Sequence, residues 1–108
     1  AETRHTVDAR RISLMKPGAC IINVARGALV DEEAMYAALL GGRLGGAGLD
    51  VFAREPADPS LPVYQLPNVV VTPHPAASTD GTARRRVKAC ADNIDRLAQG
   101  LDLLYRVD

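Results

Sequence analysis

The chain has 108 residues, with 13 basic and 13 acidic side chains and 47% apolar content, which is enough for one domain with a modest core and not for two. Balanced charge excludes a general affinity for nucleic acid, the apolar content excludes disorder, and no apolar run approaches a membrane span. Cys20 and Cys90 lie far apart without CxxC or metal spacing, which predicts buried, reduced thiols in a cytoplasmic protein.

The amino end, AETRHTVD, reads as ordinary domain sequence with no signal-peptide pattern and no initiator methionine, so a piece of a longer protein is expected. His5 reads as a surface residue. Asp8 caps a short helix running to Leu14 and Met15, with Ile12 and Met15 on its inner side, until Lys16-Pro17-Gly18 stops it. Cys20 to Val24, CIINV, is apolar except for Asn23 and has the length of a central strand; Ala25, Arg26 and Gly27 then break the run and introduce a cation. Asp31 is the next N-cap, with Glu32 and Glu33 in the first turn, where the helix dipole favours acids. Ala34, Met35, Ala38 and Leu39 supply the inner stripe, and Gly41-Gly42 closes this helix.

Gly45 to Phe52, GGAGLDVF, has strand character, and its glycines suit a strand against which another backbone packs closely. Asp50 lies near its end and Glu55 just beyond. From Ala53 to Pro67 the chain is rich in proline and reads as a stiff surface connection, long enough to have a task. Val69 to Val71 reads as a strand buried on both faces, ended by Pro73. His74 follows, and Pro75 after it predicts an extended backbone for the histidine. Ser78 or Thr79 caps the longest helix, which runs to about Gln99 before Gly100. Its inner residues are Ala83, Val87, Cys90, Ala91, Ile94, Leu97 and Ala98, while Arg84 to Arg86 read as a solvated face. The tail from Leu101 is too apolar to hang free and is expected to pack on something.

Strand, helix, strand, long loop, strand, helix is the order of an α/β domain with parallel neighbouring strands. Ligands of such sheets bind outside the carboxyl ends of the strands, which predicts that Arg26, Asp50, Glu55 and His74 gather at one edge. Each alone reads more readily as structural: a surface charge, a turn acid, a solvated loop residue, a strand terminator. Their joint placement after successive strands is what favours chemistry. Arg26 offers a planar fork for a carboxylate, His74 can carry a proton near neutral pH, and Glu55 beside it would favour the imidazolium. These groups suffice to reduce a 2-keto acid, provided that a cofactor brings the hydride, which no side chain can supply. A cysteine protease dyad fails because Cys20 opens its strand, at the edge opposite His74, and no GxSxG elbow is present for a serine hydrolase.

The stretches MKPGACIINVARGALVDEEAM, GGAGLDVFAREP and LPNVVVTPHPAAST resemble the signature segments of the D-isomer-specific 2-hydroxyacid dehydrogenases, a family that includes phosphoglycerate dehydrogenase and the glyoxylate and hydroxypyruvate reductases. The resemblance covers nearly the whole chain. It implies reduction of small 2-keto acids with NADH or NADPH, usually by a homodimer. It implies that Arg26 binds the substrate carboxylate and carbonyl, that His74 is the acid/base and that Glu55 is its partner. It places Asp50 on the nicotinamide carboxamide, with Val24, Ala25, Arg26, His74 and Ala76 around the nicotinamide. Pro75 stands where family members often carry a branched aliphatic residue.

The GxGxxG turn and the substrate domain of that family have no counterpart here, because Gly45, Gly46 and Gly48 precede or lie within a strand, whereas a phosphate-binding turn comes after one and opens a helix. The expectation is therefore a single domain over residues 1–108, a partial Rossmann-like parallel sheet with flanking helices, forming the second half of a dinucleotide-binding domain and inactive in isolation. A different class of function on the same fold is a nucleotide-sensing interaction protein like the transcriptional corepressors that resemble this family.

Overall fold

A computed structural model describes residues 2–107. The chain divides into two compact units, Ala1–Ala76 and Ala77–Asp108. The first holds helix α1 (Ala9–Leu14), strand β1 (Ala19–Asn23), helix α2 (Glu32–Leu40), strand β2 (Leu44–Leu49) and strand β3 (Val69–Val71). Short 3-10 turns cover Gly27–Leu29 and Pro62–Gln65. The second unit holds helix α3 (Asp80–Ala98).

Local chemistry sets the helix ends. The Asp8 carboxylate accepts the Arg11 N–H at 2.8 Å and the Asp31 carboxylate accepts the Ala34 N–H at 3.1 Å, each satisfying an amide that the first turn leaves unpaired. Gly41 caps α2, and Gly42 at φ +69° turns the chain into β2.

The three strands form one parallel sheet in the order β1-β2-β3. Side chains alternate across it. One face carries Ile21, Ala47 and Leu49, which join Ile12, Met35 and Leu39 in the core. Met35 has no solvent-accessible surface, a burial that contributes roughly 1.5–3 kcal/mol. The other face is open: in register, Ile22 lies opposite Gly48 and Gly48 opposite Val70, and Ile22 and Val70 are 75% and 69% exposed.

Several expectations change here. The central strand is β2, not the CIINV segment, which forms an edge. The valine run is the other edge, with β2 as its single partner, so Val69 is half-buried and Val70 and Val71 are exposed instead of covered on both sides. Cys20 is exposed because it shares the open face with Ile22, and Cys90 is exposed on α3. The proline-rich connection lies only partly on the surface, since its 3-10 turn inserts Val63 into the core and stacks Tyr64 edge-on against Phe52 at 5.3 Å. His5 is half-buried, with Nδ1 3.9 Å from the Asp31 carboxylate and its N–H donating to Ala28 O.

In the second unit the Thr79 hydroxyl accepts the Thr82 N–H at 3.1 Å and so caps α3, whose far end is closed by Gly100 at φ +69°. The tail returns along α3: the Asn93 side chain brackets Leu104, accepting its N–H at 2.7 Å and donating to its carbonyl at 3.1 Å. The expected inner stripe of α3 is not buried, and Val87, Ile94 and Leu97 are all close to 70% exposed. The returning tail is too short to cover it.

Candidate active site

Each strand ends at or just before a polar residue that shapes the next turn. At the end of β1, Asn23 is buried; its Oδ1 accepts the Ala25 N–H at 3.2 Å and its Nδ2 donates to Arg26 O at 3.0 Å, an Asx-type turn that fixes residues 24 to 26. Arg26 is exposed there, with Nη1 donating to Ala25 O at 2.6 Å. Gly27 lies flat against the next exit: a Cβ would sit 1.9 Å from the Phe52 carbonyl carbon, so no other residue fits without moving one of the two segments.

Beyond β2, the 52–55 turn is held from two sides. The Glu32 carboxylate at the start of α2 accepts the Ala53 N–H at 2.9 Å, and Glu55 folds back to accept the Phe52 N–H at 3.1 Å through Oε1. The other oxygen, Oε2, lies 3.0 Å from His74 Nδ1. That hydrogen bond is the main cause holding the Glu55 carboxyl below its usual 4.5, followed by the Phe52 amide; the charges of His74 and Arg26 act in the same direction. Glu55 and His74 are thus in contact, although they come from separate connections, and Arg26 stands just beyond the end of β1.

The backbone of His74 is left-handed, at φ +58°, and not extended as the following proline suggests. Tertiary bonds override the local preference. The His74 N–H closes a tight turn onto Thr72 O at 3.0 Å, and Asp50 grips both flanks of the histidine: Oδ1 accepts the Thr72 hydroxyl at 2.5 Å and Oδ2 accepts the Ala76 N–H at 2.9 Å. Asp50 is 3% exposed and its own N–H donates to Asn23 O at 3.0 Å, so the β1 and β2 exits are joined as well. Val24, Ala25 and Ala76, the remaining residues that the resemblance places around a nicotinamide, are all exposed.

Beside Glu55 and His74 an open cleft of about 460 Å3 is lined by Phe52, Pro56, Tyr64, Val71 and Pro73. Burial, and then Glu32, push the Tyr64 hydroxyl up to about 12, so it stays a neutral donor across the physiological range. Among the described residues no group of His, Cys, Asp or Glu is arranged to hold a metal, and no helix is long and apolar enough to cross a membrane.

Three residues that shape the site were not singled out from sequence: Asn23, Glu32 and Thr72. Asn23 did carry a signal, as the one polar residue in an apolar strand. Glu32 reads equally well as an ordinary first-turn acid, and nothing local distinguishes Thr72.

Residues 1–76 match the family described as D-isomer specific 2-hydroxyacid dehydrogenase, NAD binding domain. The chain belongs to that family. It is 47% identical over 94 residues to glyoxylate/hydroxypyruvate reductase B of Pectobacterium carotovorum, covering 86% of this chain and 29% of that protein. It is 41% identical over 99 residues to D-3-phosphoglycerate dehydrogenase of Methanocaldococcus jannaschii, covering 92% of this chain and 19% of that one. The crystal structure of a D-isomer specific 2-hydroxyacid dehydrogenase from Xanthobacter autotrophicus, solved with NADPH and MES, superposes with a TM-score of 0.88 at 41% identity, over 99% of this chain and 43% of the other. An NADPH-dependent glyoxylate/hydroxypyruvate reductase from Sinorhizobium meliloti, solved with NADP and sulfate, gives the same TM-score of 0.88 at 38% identity, over 99% of this chain and 35% of the other. The chain thus spans less than a third of the curated relatives it matches. The fold is that of Rossmann-like 2-hydroxyacid dehydrogenases, and the family's domain is one that binds NAD.

The residues present suit the nicotinamide end of such a cofactor. Val24, Ala25 and Ala76 offer small or apolar exposed surface at the strand exits, where a flat ring can lie. Each Asp50 oxygen accepts one donor, which leaves a lone pair on each for a carboxamide N–H.

Proposed function

We propose that the intact protein carrying this chain is an oxidoreductase that transfers a hydride between NADH or NADPH and a small 2-keto acid, forming the 2-hydroxy acid. The observation that carries the reading is the 3.0 Å contact between His74 Nδ1 and Glu55 Oε2. Glu55 engages one ring nitrogen and leaves Nε2 for a substrate oxygen, the arrangement a general acid needs. Arg26 is assigned the substrate carboxylate and carbonyl, since its guanidinium can donate two parallel hydrogen bonds. Nicotinamide, when bound, supplies the hydride. His74 delivers a proton from Nε2 to the carbonyl oxygen as that oxygen becomes a hydroxyl, and Glu55 orients the ring through Nδ1. Asp50, Val24, Ala25, Arg26, His74 and Ala76 are assigned to the nicotinamide pocket.

In this reading the chain is the second half of an NAD(P)-binding domain and has no turnover alone. The share of its relatives that it spans supports this. A homodimer in the cytoplasm completes the proposal; Cys20 and Cys90, both free, are what a reducing compartment maintains, and light scattering of the intact protein tests the dimer.

The intact protein is expected to oxidise NADH or NADPH when given glyoxylate or hydroxypyruvate, followed at the nicotinamide absorbance. Nucleotide binding without turnover of any 2-keto acid would refute it and favour the nucleotide-sensing interaction protein.

A further inference from the structure

The His74 loop has a left-handed backbone at its central residue, a conformation that a non-glycine residue keeps only where its surroundings impose it. Pro73 and Pro75 flank it, so neither neighbour has an N–H with which to anchor the loop. The anchors come from β2. Asp50 is buried, with one oxygen on the Thr72 hydroxyl at 2.5 Å and the other on the Ala76 N–H at 2.9 Å. These contacts lie two residues before and two residues after the histidine. Thr72 is held in turn by its own N–H donating to Leu49 O at 2.9 Å, and its carbonyl accepts the His74 N–H at 3.0 Å. Thr72 thus bonds to β2, to the buried carboxylate and to the His74 N–H.

We infer that Thr72 is a positioning residue for His74: its hydroxyl and the Asp50 carboxylate form a strap across the base of the 72–76 loop that aims the imidazole at Glu55 and at the substrate. The inference rests on the acid role proposed for His74. Thr72 lines the cleft beside His74, and its hydroxyl donates to Asp50, so it acts through Asp50 and the loop.

Thr72→Val keeps the β-branched shape and removes the hydroxyl, leaving one Asp50 oxygen without its donor. In the intact enzyme, loss of one hydrogen bond to a charged group is expected to lower kcat for keto-acid reduction about tenfold. The KM for the keto acid, whose carboxylate is assigned to Arg26, should stay unchanged, and Thr72→Ser should restore kcat. An unchanged kcat in Thr72→Val overturns the strap, as does a loss in which kcat and keto-acid KM worsen together and serine fails to rescue, since that pattern marks a merely structural residue. Amide exchange provides a readout independent of catalysis. The Ala76 N–H, although in an exposed loop, should exchange at least about tenfold more slowly than in an unstructured chain, and should lose that protection in Thr72→Val. An unprotected Ala76 amide in the wild-type protein overturns the strap even if the variant fails to fold. Should the wild-type protein show no keto-acid turnover, the proposed function fails while the exchange measurement still decides the strap.

Discussion

The two ends of the sheet are built differently. At the amino ends the contacts close backbone on backbone: a Cβ on Gly45 would sit 2.5 Å from Gly18 O, one on Gly46 would sit 2.7 Å from Asn68 O, and the Arg43 guanidinium covers the carbonyls of Ser13 and Met15 where α1 ends. There the Arg43 Nη2 donates inward to both carbonyls, while its buried Nε has no hydrogen-bond partner among the described residues. At the carboxyl ends buried polar side chains, Asn23 and Asp50, hold turns that carry exposed, ionisable ones, Arg26, Glu55 and His74. A buried acid and a buried amide that serve to aim half-exposed charges are of little use to stability alone. The asymmetry separates the end that keeps the fold from the end that meets a ligand, in keeping with ligand crevices lying outside the carboxyl ends of parallel strands.

The severest challenge to that division is at His74. If the carboxyl end is the working end, His74→Ala in the intact enzyme should lower keto-acid reduction by about a hundredfold to ten-thousandfold, the usual contribution of a positioned acid, with far smaller changes in cofactor binding and thermal stability. An unchanged rate would remove the chemical reading of this edge. Arg26→Lys comes next. It keeps the charge and loses the planar fork, so the KM for the keto acid should rise about ten- to a hundredfold, with a smaller change in kcat. Equal kinetics for arginine and lysine would mean that Arg26 acts as a diffuse surface charge.

The amino end should answer in the opposite way. Gly45→Ala forces a methyl against Gly18 O, and an overpacked backbone contact of this kind costs about 1–3 kcal/mol, read from the shift of a urea midpoint. Turnover per folded molecule should not change. A Gly45→Ala protein that is fully stable but catalytically impaired would reverse the assignment of the two ends.

How much of this was legible in the sequence depends on the range of the forces. The caps at Asp8, Asp31 and Thr79 and the stop at Gly41-Gly42 are decided within a few residues, and they could be read directly. Parallel strand order came from chain topology, and with it the approach of His74 to Glu55. What could not be read depends on partners distant in sequence. Val70 and Ile94 look like core residues by periodicity and are exposed, because periodicity reports which side is apolar and not whether anything covers it. The left-handed His74 contradicts the rule for residues before proline because Asp50, 22 residues from Thr72 and 26 from Ala76, imposes the loop from outside. Asp50 itself was legible as an acid at the strand edge; its grip on the loop was not.

The smallest expected effect is on stability, and it concerns Glu55. Its carboxyl titrates below 4.5 in the folded chain, chiefly because the ionised form accepts the His74 and Phe52 N–H groups, and it titrates near its ordinary value once the chain unfolds. The folded state therefore binds this proton less readily than the unfolded state, so acidification favours unfolding. The contribution is complete above pH 4.5 and disappears as the pH falls through the folded value. Glu55→Gln lacks the titrating group. Its urea midpoint should sit slightly below that of the wild type at neutral pH, and the gap should close on acidification below pH 4.5. Because Glu55 is exposed to solvent, added salt should narrow the gap at neutral pH too. A gap that persists undiminished in acid would mean that glutamine disturbs the Phe52 turn by shape and not by charge, and Glu55 would then belong with the structural contacts of the amino end.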